Sequence, residues 1–283
     1  MPSVEDTKAR ELNSWRSVAP GWRKHDWLLR DAFGSVSNAL LDRAGISPGQ
    51  TVLDIACGTG EPAIPAALRV GPGGKVTATD LVPEMITIAR EKAQAQGLGQ
   101  IEFKVVDGER LDLPTATYDA ATMRWGLMFM PEPVACLKRI HRALRPGARF
   151  ATTCWAGPEE NTWASLPMIV LKKYTELPEP QPGQTGIFAF ADSERIRSVM
   201  TKAGFRDTAV DSIDVLWSGA DSGADYFQQV IEMAGPLASL YAKLSNQERA
   251  AYANEVALQA DRLSVSRTGI AFAGRTWIAV GTR

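Results

Sequence analysis

Between residues 51 and 156 the hydrophobic period switches repeatedly, and that alternation restricts the fold more than any other feature. TVLDIA (51–56), KVTATD (75–80), IEFKVVD (101–107), YDAATMRW (118–125) and ARFATTCWA (148–156) read as strands. PAIPAALRV (62–70), PEMITIAREKAQAQ (83–96) and PVACLKRIHRAL (133–144) read as helices. Strands separated by single helices run parallel, with right-handed crossovers and both sheet faces covered. The expected fold is therefore α/β, a Rossmann-like doubly wound sheet.

The remaining sequence reads as additions to that sheet. Residues 4–46 are expected as two or three helices broken at Pro20 and Gly21, and 160–177 as an amphipathic helix or two. A proline- and glycine-rich loop follows at 178–186, then a capped helix at 192–205, a strand at 208–219, helices over 222–264 and a closing strand at 274–283. This divides the chain into an N-terminal helical lid (1–46), a ligand-binding core (47–156), a helix-and-loop insertion (157–189), a continuation of the core (190–219), a helical cap (220–265) and the last core strand (266–283).

Composition narrows the partners. Lys and Arg number 31 against 32 Asp and Glu, a net charge of −1, so no basic surplus favours nucleic acid or an anionic membrane. The first 30 residues are charged and lack the apolar run of a signal peptide, and no segment holds 18 unbroken apolar residues. A cytoplasmic location is expected. Cys57, Cys136 and Cys154 are widely spaced and fit reduced thiols, and with only His25 and His141 besides, no zinc-type ligand set is expected. Cys57 reads as small apolar filling beside the glycines.

The bend VLDIACGTGEPA (52–63) lies where an open parallel sheet binds its ligand, beyond the carboxyl ends of the strands. Glycine allows a tight turn and close approach of backbone amides. GTGEPA also fits a dinucleotide fingerprint, with Asp80 standing 20 residues past Gly60. Yet Asp54 and Glu61 flank the same bend and would repel a pyrophosphate. S-adenosyl-L-methionine, with an ammonium, a sulfonium and a single carboxylate, suits them better. On that reading Asp54 reaches the ammonium, and Ala56, Gly58 and Gly60 border the methionine part. Asp80 accepts from both ribose hydroxyls, Leu81 and Met85 pack on the adenine, and Asp107 accepts from its amine while the backbone near Gly108 and Glu109 faces the ring edge. A nicotinamide oxidoreductase and a cofactor-binding protein without turnover are the competing readings. Asp54 and the lack of a YxxxK pair speak against the first.

VLDIACGTG (52–60), VTATDLVPEMITIAREKA (76–93), VVDGERLDLPTATYDAATMRWGLMFMPEP (105–133) and LKRIHRALRPGARF (137–150) together resemble the class I methyltransferases, in particular the C-methyltransferases of ubiquinone and menaquinone synthesis. The resemblance implies the strand order 3-2-1-4-5-7-6 with an antiparallel seventh strand. It further implies that Arg124 and Trp125 border the methionine end of the cofactor and that Trp15 and Trp22 close over it. The short quinone enzymes lack a helical insert like the one at 220–265.

Methyl transfer is an in-line displacement, so nucleophile, methyl carbon and sulfur must be held collinear, and alignment can supply roughly 7 to 11 kcal/mol. A helical cover that excludes water is expected, most of its aromatic residues forming its own core. His25 is the candidate general base and Arg124 a group to orient a substrate oxygen. The expected acceptor is a small, partly apolar, aromatic or polyketide-like molecule methylated at O, C or N, by a monomer or homodimer.

Overall fold

The computed structural model describes residues 3–177 and 184–283, so part of the loop expected at 178–186 lies outside the described residues. Seven strands, β1 (Thr51–Ile55), β2 (Lys75–Asp80), β3 (Ile101–Val105), β4 (Tyr118–Arg124), β5 (Leu144–Trp155), β6 (Arg206–Ala220) and β7 (Ile270–Thr282), form one sheet in the order β3-β2-β1-β4-β5-β7-β6. The first five pair in parallel, while β7 runs antiparallel to both β5 and β6. This is the Rossmann-like doubly wound sheet that the alternation implies, in the strand order that the resemblance implies. The central strands are apolar because both faces are covered: Val52, Leu53, Ala120, Ala121, Phe150 and Ala151 are each fully buried.

Helices α3 (Ala63–Val70), α4 (Pro83–Ala95) and α5 (Pro133–Ala143) cross between parallel strands. β7 begins earlier than expected, at Ile270, because it pairs with β6 as far as Ala220, beyond the rest of the sheet, and β6 begins earlier, at Arg206, because that residue pairs with Thr282 at the other end of β7.

Two helices precede the sheet, α1 (Val4–Lys24) and α2 (Asp26–Ala44). A capping box between Ser3 and Asp6 opens α1, and Gly45 closes α2 in a left-handed conformation. The break expected at Pro20 and Gly21 lies instead at His25, since α1 runs through both residues. Packing overrides the local signal here. A Cβ on Gly21 would stand 2.0 Å from the Glu232 carbonyl oxygen, so this glycine admits a close approach to α8 (Gly223–Met233) rather than ending a helix.

Between β5 and β6 lie α6 (Thr162–Leu171) and α7 (Ser193–Lys202), and between β6 and β7 lie α8, α9 (Gly235–Tyr241) and α10 (Asn246–Leu263). Tyr226 and Tyr252 are fully buried among the cap helices, their hydroxyls donating to the carbonyls of Trp163 and Pro167. α1 lies across the strand ends, with Leu12, Trp15 and Trp22 packed on Val82, Met85 and Ile88 at the start of α4. No helix among the described residues is long and apolar enough to cross a membrane.

Candidate active site

Beyond the carboxyl ends of β1, β2, β3 and β4, beneath α1 and the cap, lies a cavity of about 280 Å³. Each strand end turns sharply there. Ala56 after β1 and Trp125 after β4 are both left-handed, at φ 56° and 55°, a conformation that costs a non-glycine residue about 1 to 3 kcal/mol and concentrates at functional sites. Gly58 follows at φ 54° with open space where a Cβ would stand, whereas a Cβ on Gly60 (φ 105°) would meet Ile64 Cδ1 at 2.8 Å. Gly58 thus leaves room toward the cavity, and Gly60 lets α3 pack against the bend.

Asp80, at the end of β2, holds that bend in place. Its Oδ2 accepts from the Gly58 amide at 2.8 Å and its Oδ1 from the Val82 amide at 2.9 Å. Burial raises its pKa, and the amides pull it back. Asp107, after β3, accepts from the Glu109 amide at 2.9 Å and stands 2.6 Å from the Lys8 ammonium, which lies equally close to Glu109. Burial lowers the lysine, but the bonds and charges of both carboxylates outweigh it and its pKa is raised. Glu109 also accepts from the Glu132 amide.

Asp54 lies behind the bend and does not line the cavity. It is fully buried; Oδ1 accepts from the Thr122 hydroxyl at 2.7 Å, and Oδ2 has no hydrogen-bond partner among the described residues. Burial pushes its carboxyl up to about 8, against the pull of Thr122 and Arg124. The acid that does face the cavity at this bend is Glu61. It accepts from the Ser37 hydroxyl at 2.9 Å, and Ser37 accepts from Arg124 at 3.0 Å. The Arg124 guanidinium is 3.9 Å from Glu61 and lies over the Trp125 ring, 4.8 Å from its centroid.

The other half of the cavity is aromatic. Trp125 stacks on Trp155 with centroids 4.3 Å apart, Phe33 meets Trp125 edge-on at 5.0 Å, and Trp163 meets Trp155 edge-on at 4.9 Å. The Trp125 indole donates to Thr276 of β7 at 2.9 Å, which fixes the ring. From α1, Trp15 packs edge-on against Phe129 at 4.9 Å and against Trp22 at 5.8 Å, and the Trp22 indole donates to the Met233 carbonyl at 2.9 Å.

Of the residues expected to contact the cofactor, Ala56, Gly58, Asp80, Leu81 and Met85 line this cavity, as do Asp107, Gly108, Glu109, Arg124, Trp125, Trp15 and Trp22. Asp54 and Gly60 do not. His25, the expected base, does not either: its Nε2 is 2.6 Å from Glu232 in the joint between α1 and α2, where Glu232 also holds Lys24. Burial raises Glu232, but bonds from Gln228, Lys24 and His25 hold it down at about 2.

Lys8, Glu11, Ser37, Trp155 and Glu61's direct place in the site are not among the expectations. Lys8, Glu11, Trp15 and Trp22 share one face of α1 at helical spacing, so the two tryptophans contained the signal for the other two. Ser37 and Trp155 had no such signal.

Residues 52–147 match the family model of a methyltransferase domain. Nocamycin O-methyltransferase of Saccharothrix syringae is 34% identical over 139 residues, 49% of this chain and 50% of that protein, so the chain matches half the length of that relative. The ubiquinone/menaquinone biosynthesis C-methyltransferase UbiE of Pseudomonas putida is 28% identical over 217 residues, 71% of this chain and 83% of that protein. The fold is similar to that of Haemonchus contortus phosphoethanolamine N-methyltransferase 2, solved with phosphomonomethylethanolamine and S-adenosylhomocysteine, at a TM-score of 0.59 and 18% identity, covering 100% of this chain and 60% of that one.

Proposed function

We propose that the chain is an S-adenosylmethionine-dependent methyltransferase, similar to the quinone C-methyltransferases, that methylates O, C or N of a small, partly apolar, aromatic or polyketide-like molecule in the cytoplasm. The observation that carries this reading is the continuity of one cavity between acid-tipped strand ends and a wall of indole rings.

The residues fit S-adenosylmethionine on three counts. An unpartnered buried oxygen of Asp54 lies under the bend, Gly58 leaves open space above it, and Asp80 and Asp107 retain lone pairs after their amide bonds. When bound, this cofactor supplies an electrophilic methyl group on a sulfonium. In the proposed arrangement Asp80 accepts from the ribose hydroxyls, and Asp107 accepts from the adenine amine with Leu81 and Met85 against the ring. The backbone at Ala56 and Gly58, with Gly108 and Glu109 at the other end, shapes the cleft, and Gly60 lets α3 pack behind it. Glu61 faces the ammonium directly, and Asp54 supports the bend from beneath through its bond from Thr122. Arg124, held by Ser37 and Glu61, orients an oxygen of the acceptor, and Trp125 walls the methionine end. Trp15 and Trp22 exclude water from above, which strengthens every charge interaction inside. His25, spent on Glu232 outside the cavity, takes no part.

A quinone-biosynthesis C-methyltransferase is the second reading, favoured by the 71% of the chain that aligns with UbiE. The test is transfer of a labelled methyl group to a panel of phenols, hydroquinones, tetramic acids, RNA and protein, with the product atom read by NMR. Labelling of the small aromatic acceptors supports the proposal, and a product carbon on the hydroquinone ring favours the second reading. Labelling confined to RNA or protein would defeat both.

A further inference from the structure

The charged side chains lining the cavity answer one another, with a single exception. Lys8 stands 2.6 Å from Asp107 and from Glu109, Glu61 and Arg124 meet through Ser37, and Asp80 takes the amides of Gly58 and Val82. Glu11 is left over. It is only 8% exposed; Oε1 accepts from the Thr185 hydroxyl at 3.1 Å, and Oε2 has no hydrogen-bond partner among the described residues. No ion pair to it exists among those residues. A buried carboxyl oxygen without a partner is unfavourable and calls for a reason.

The surroundings indicate which half of the cavity Glu11 serves. Thr185 precedes Gly186, whose amide donates to the Met128 carbonyl at 3.0 Å, and Ile187, which lines the cavity. Met128 in turn accepts through its sulfur from the Trp155 amide at 3.3 Å. Glu11 is thereby tied to the aromatic wall, whereas Lys8, one turn earlier on α1, is tied to the ends of the strands. The two cations lining the cavity, Lys8 and Arg124, are met by Asp107, Glu109 and Glu61, so Glu11 faces the aromatic side without an ion-pair partner of its own among the described residues. Burial raises the Glu11 carboxyl, opposed by the Thr185 hydroxyl, by Arg10 on its own helix and by the nearby Trp15 indole. The aromatic lining on that side accommodates an apolar ring, and the unpartnered Oε2 offers its hydroxyl an acceptor.

We propose that Glu11 and Thr185 form the polar subsite for the methyl acceptor, with Glu11 Oε2 taking a hydrogen bond from a hydroxyl on an otherwise apolar aromatic molecule. This rests on the methyltransferase reading and narrows its substrate to hydroxyl-bearing rings. Glu11 is then a specificity residue, brought to the acceptor by the same helix that closes the cofactor end.

The test uses the full chain saturated with S-adenosylhomocysteine and two probes, 2-naphthol and 2-methoxynaphthalene, titrated calorimetrically. Wild type is expected to prefer the naphthol by roughly fivefold or more, the worth of one hydrogen bond. Glu11→Leu is expected to abolish the preference with its affinity for S-adenosylhomocysteine unchanged, and Glu11→Gln, which keeps an acceptor oxygen, to retain part of it. A wild type without preference, a Glu11→Leu protein that keeps it, or a loss of S-adenosylhomocysteine affinity in that variant overturns the assignment. Failure of wild type to bind S-adenosylhomocysteine at all is a separate result and strikes the methyltransferase reading itself.

Discussion

The two halves of the cavity are built differently. The half at the strand ends is polar and assembled from short sequence stretches: Asp80 bonds Val82 two residues on, Asp107 bonds Glu109 two residues on, and the glycine bend lies within residues 56 to 61. The half under the helices is aromatic and assembled from afar. Trp125 reaches Thr276 across 151 residues, and Glu11 meets Thr185 across 174. On the proposed reading the cofactor takes the fixed polar frame and the acceptor meets a cover held by long-range contacts, which would put the shared chemistry on local backbone geometry and selectivity on packing.

Substitutions can break or sharpen that contrast, and the largest effect is expected at the seam between the halves. Arg124→Met leaves Glu61 buried without its counter-charge. Breaking a buried ion pair typically costs about 3 to 5 kcal/mol, so chemical denaturation should show a loss of that order. A loss below about 1 kcal/mol would mean the guanidinium is not the keystone of this network.

Within the polar half, Asp80→Ala removes the acceptor of two amides that shape the bend as well as the proposed ribose contact. Hydrogen bonds to a charged group are worth about 1.5 to 3 kcal/mol, so affinity for S-adenosylhomocysteine should fall roughly 10- to 150-fold by calorimetry. The aromatic half should respond in the opposite sense: Trp163→Leu should alter which acceptors are methylated while leaving that affinity within about twofold. Equal losses of cofactor affinity in both variants would erase the distinction between the halves.

Asp54 gives a smaller, pH-dependent effect. Its carboxyl titrates at about 8 in the folded chain and near the ordinary value of 3.8 when unfolded. The unfolded chain releases this proton first, so the group's contribution is fully present below about pH 4 and is lost as pH rises to about 8. Asp54→Asn has nothing to titrate there. Its stability relative to wild type should rise across that window and level off above it, as thermal melts at stepped pH would record; a constant difference would contradict the buried, protonated state. The smallest change is expected at the exposed pair between Arg16 of α1 and Glu84 of α4, where Arg16→Ala should shift stability by no more than about 1 kcal/mol.

The same contrast explains how far the sequence could be read. The alternating strands and helices, the bend and the acids at the strand ends were legible because period and spacing are local properties, whereas the strand order came from the resemblance alone. The continuation of α1 through Pro20 and Gly21 was not, because it depends on the Glu232 backbone packed against that glycine. Glu61 carried a visible charge, but its turn toward the cavity, with Asp54 behind it, depends on Ser37 of α2 and Thr122 of β4. His25 had suitable chemistry and the wrong address, since Glu232 lies 207 residues away.

A crystal structure with S-adenosylhomocysteine is the most direct trial of a single cavity serving donor and acceptor. The account predicts the ribose on Asp80, the adenine amine on Asp107, and the sulfur turned toward the rings of Trp125 and Trp155. A nucleoside seated elsewhere, or a sulfur facing away from those rings, would contradict it.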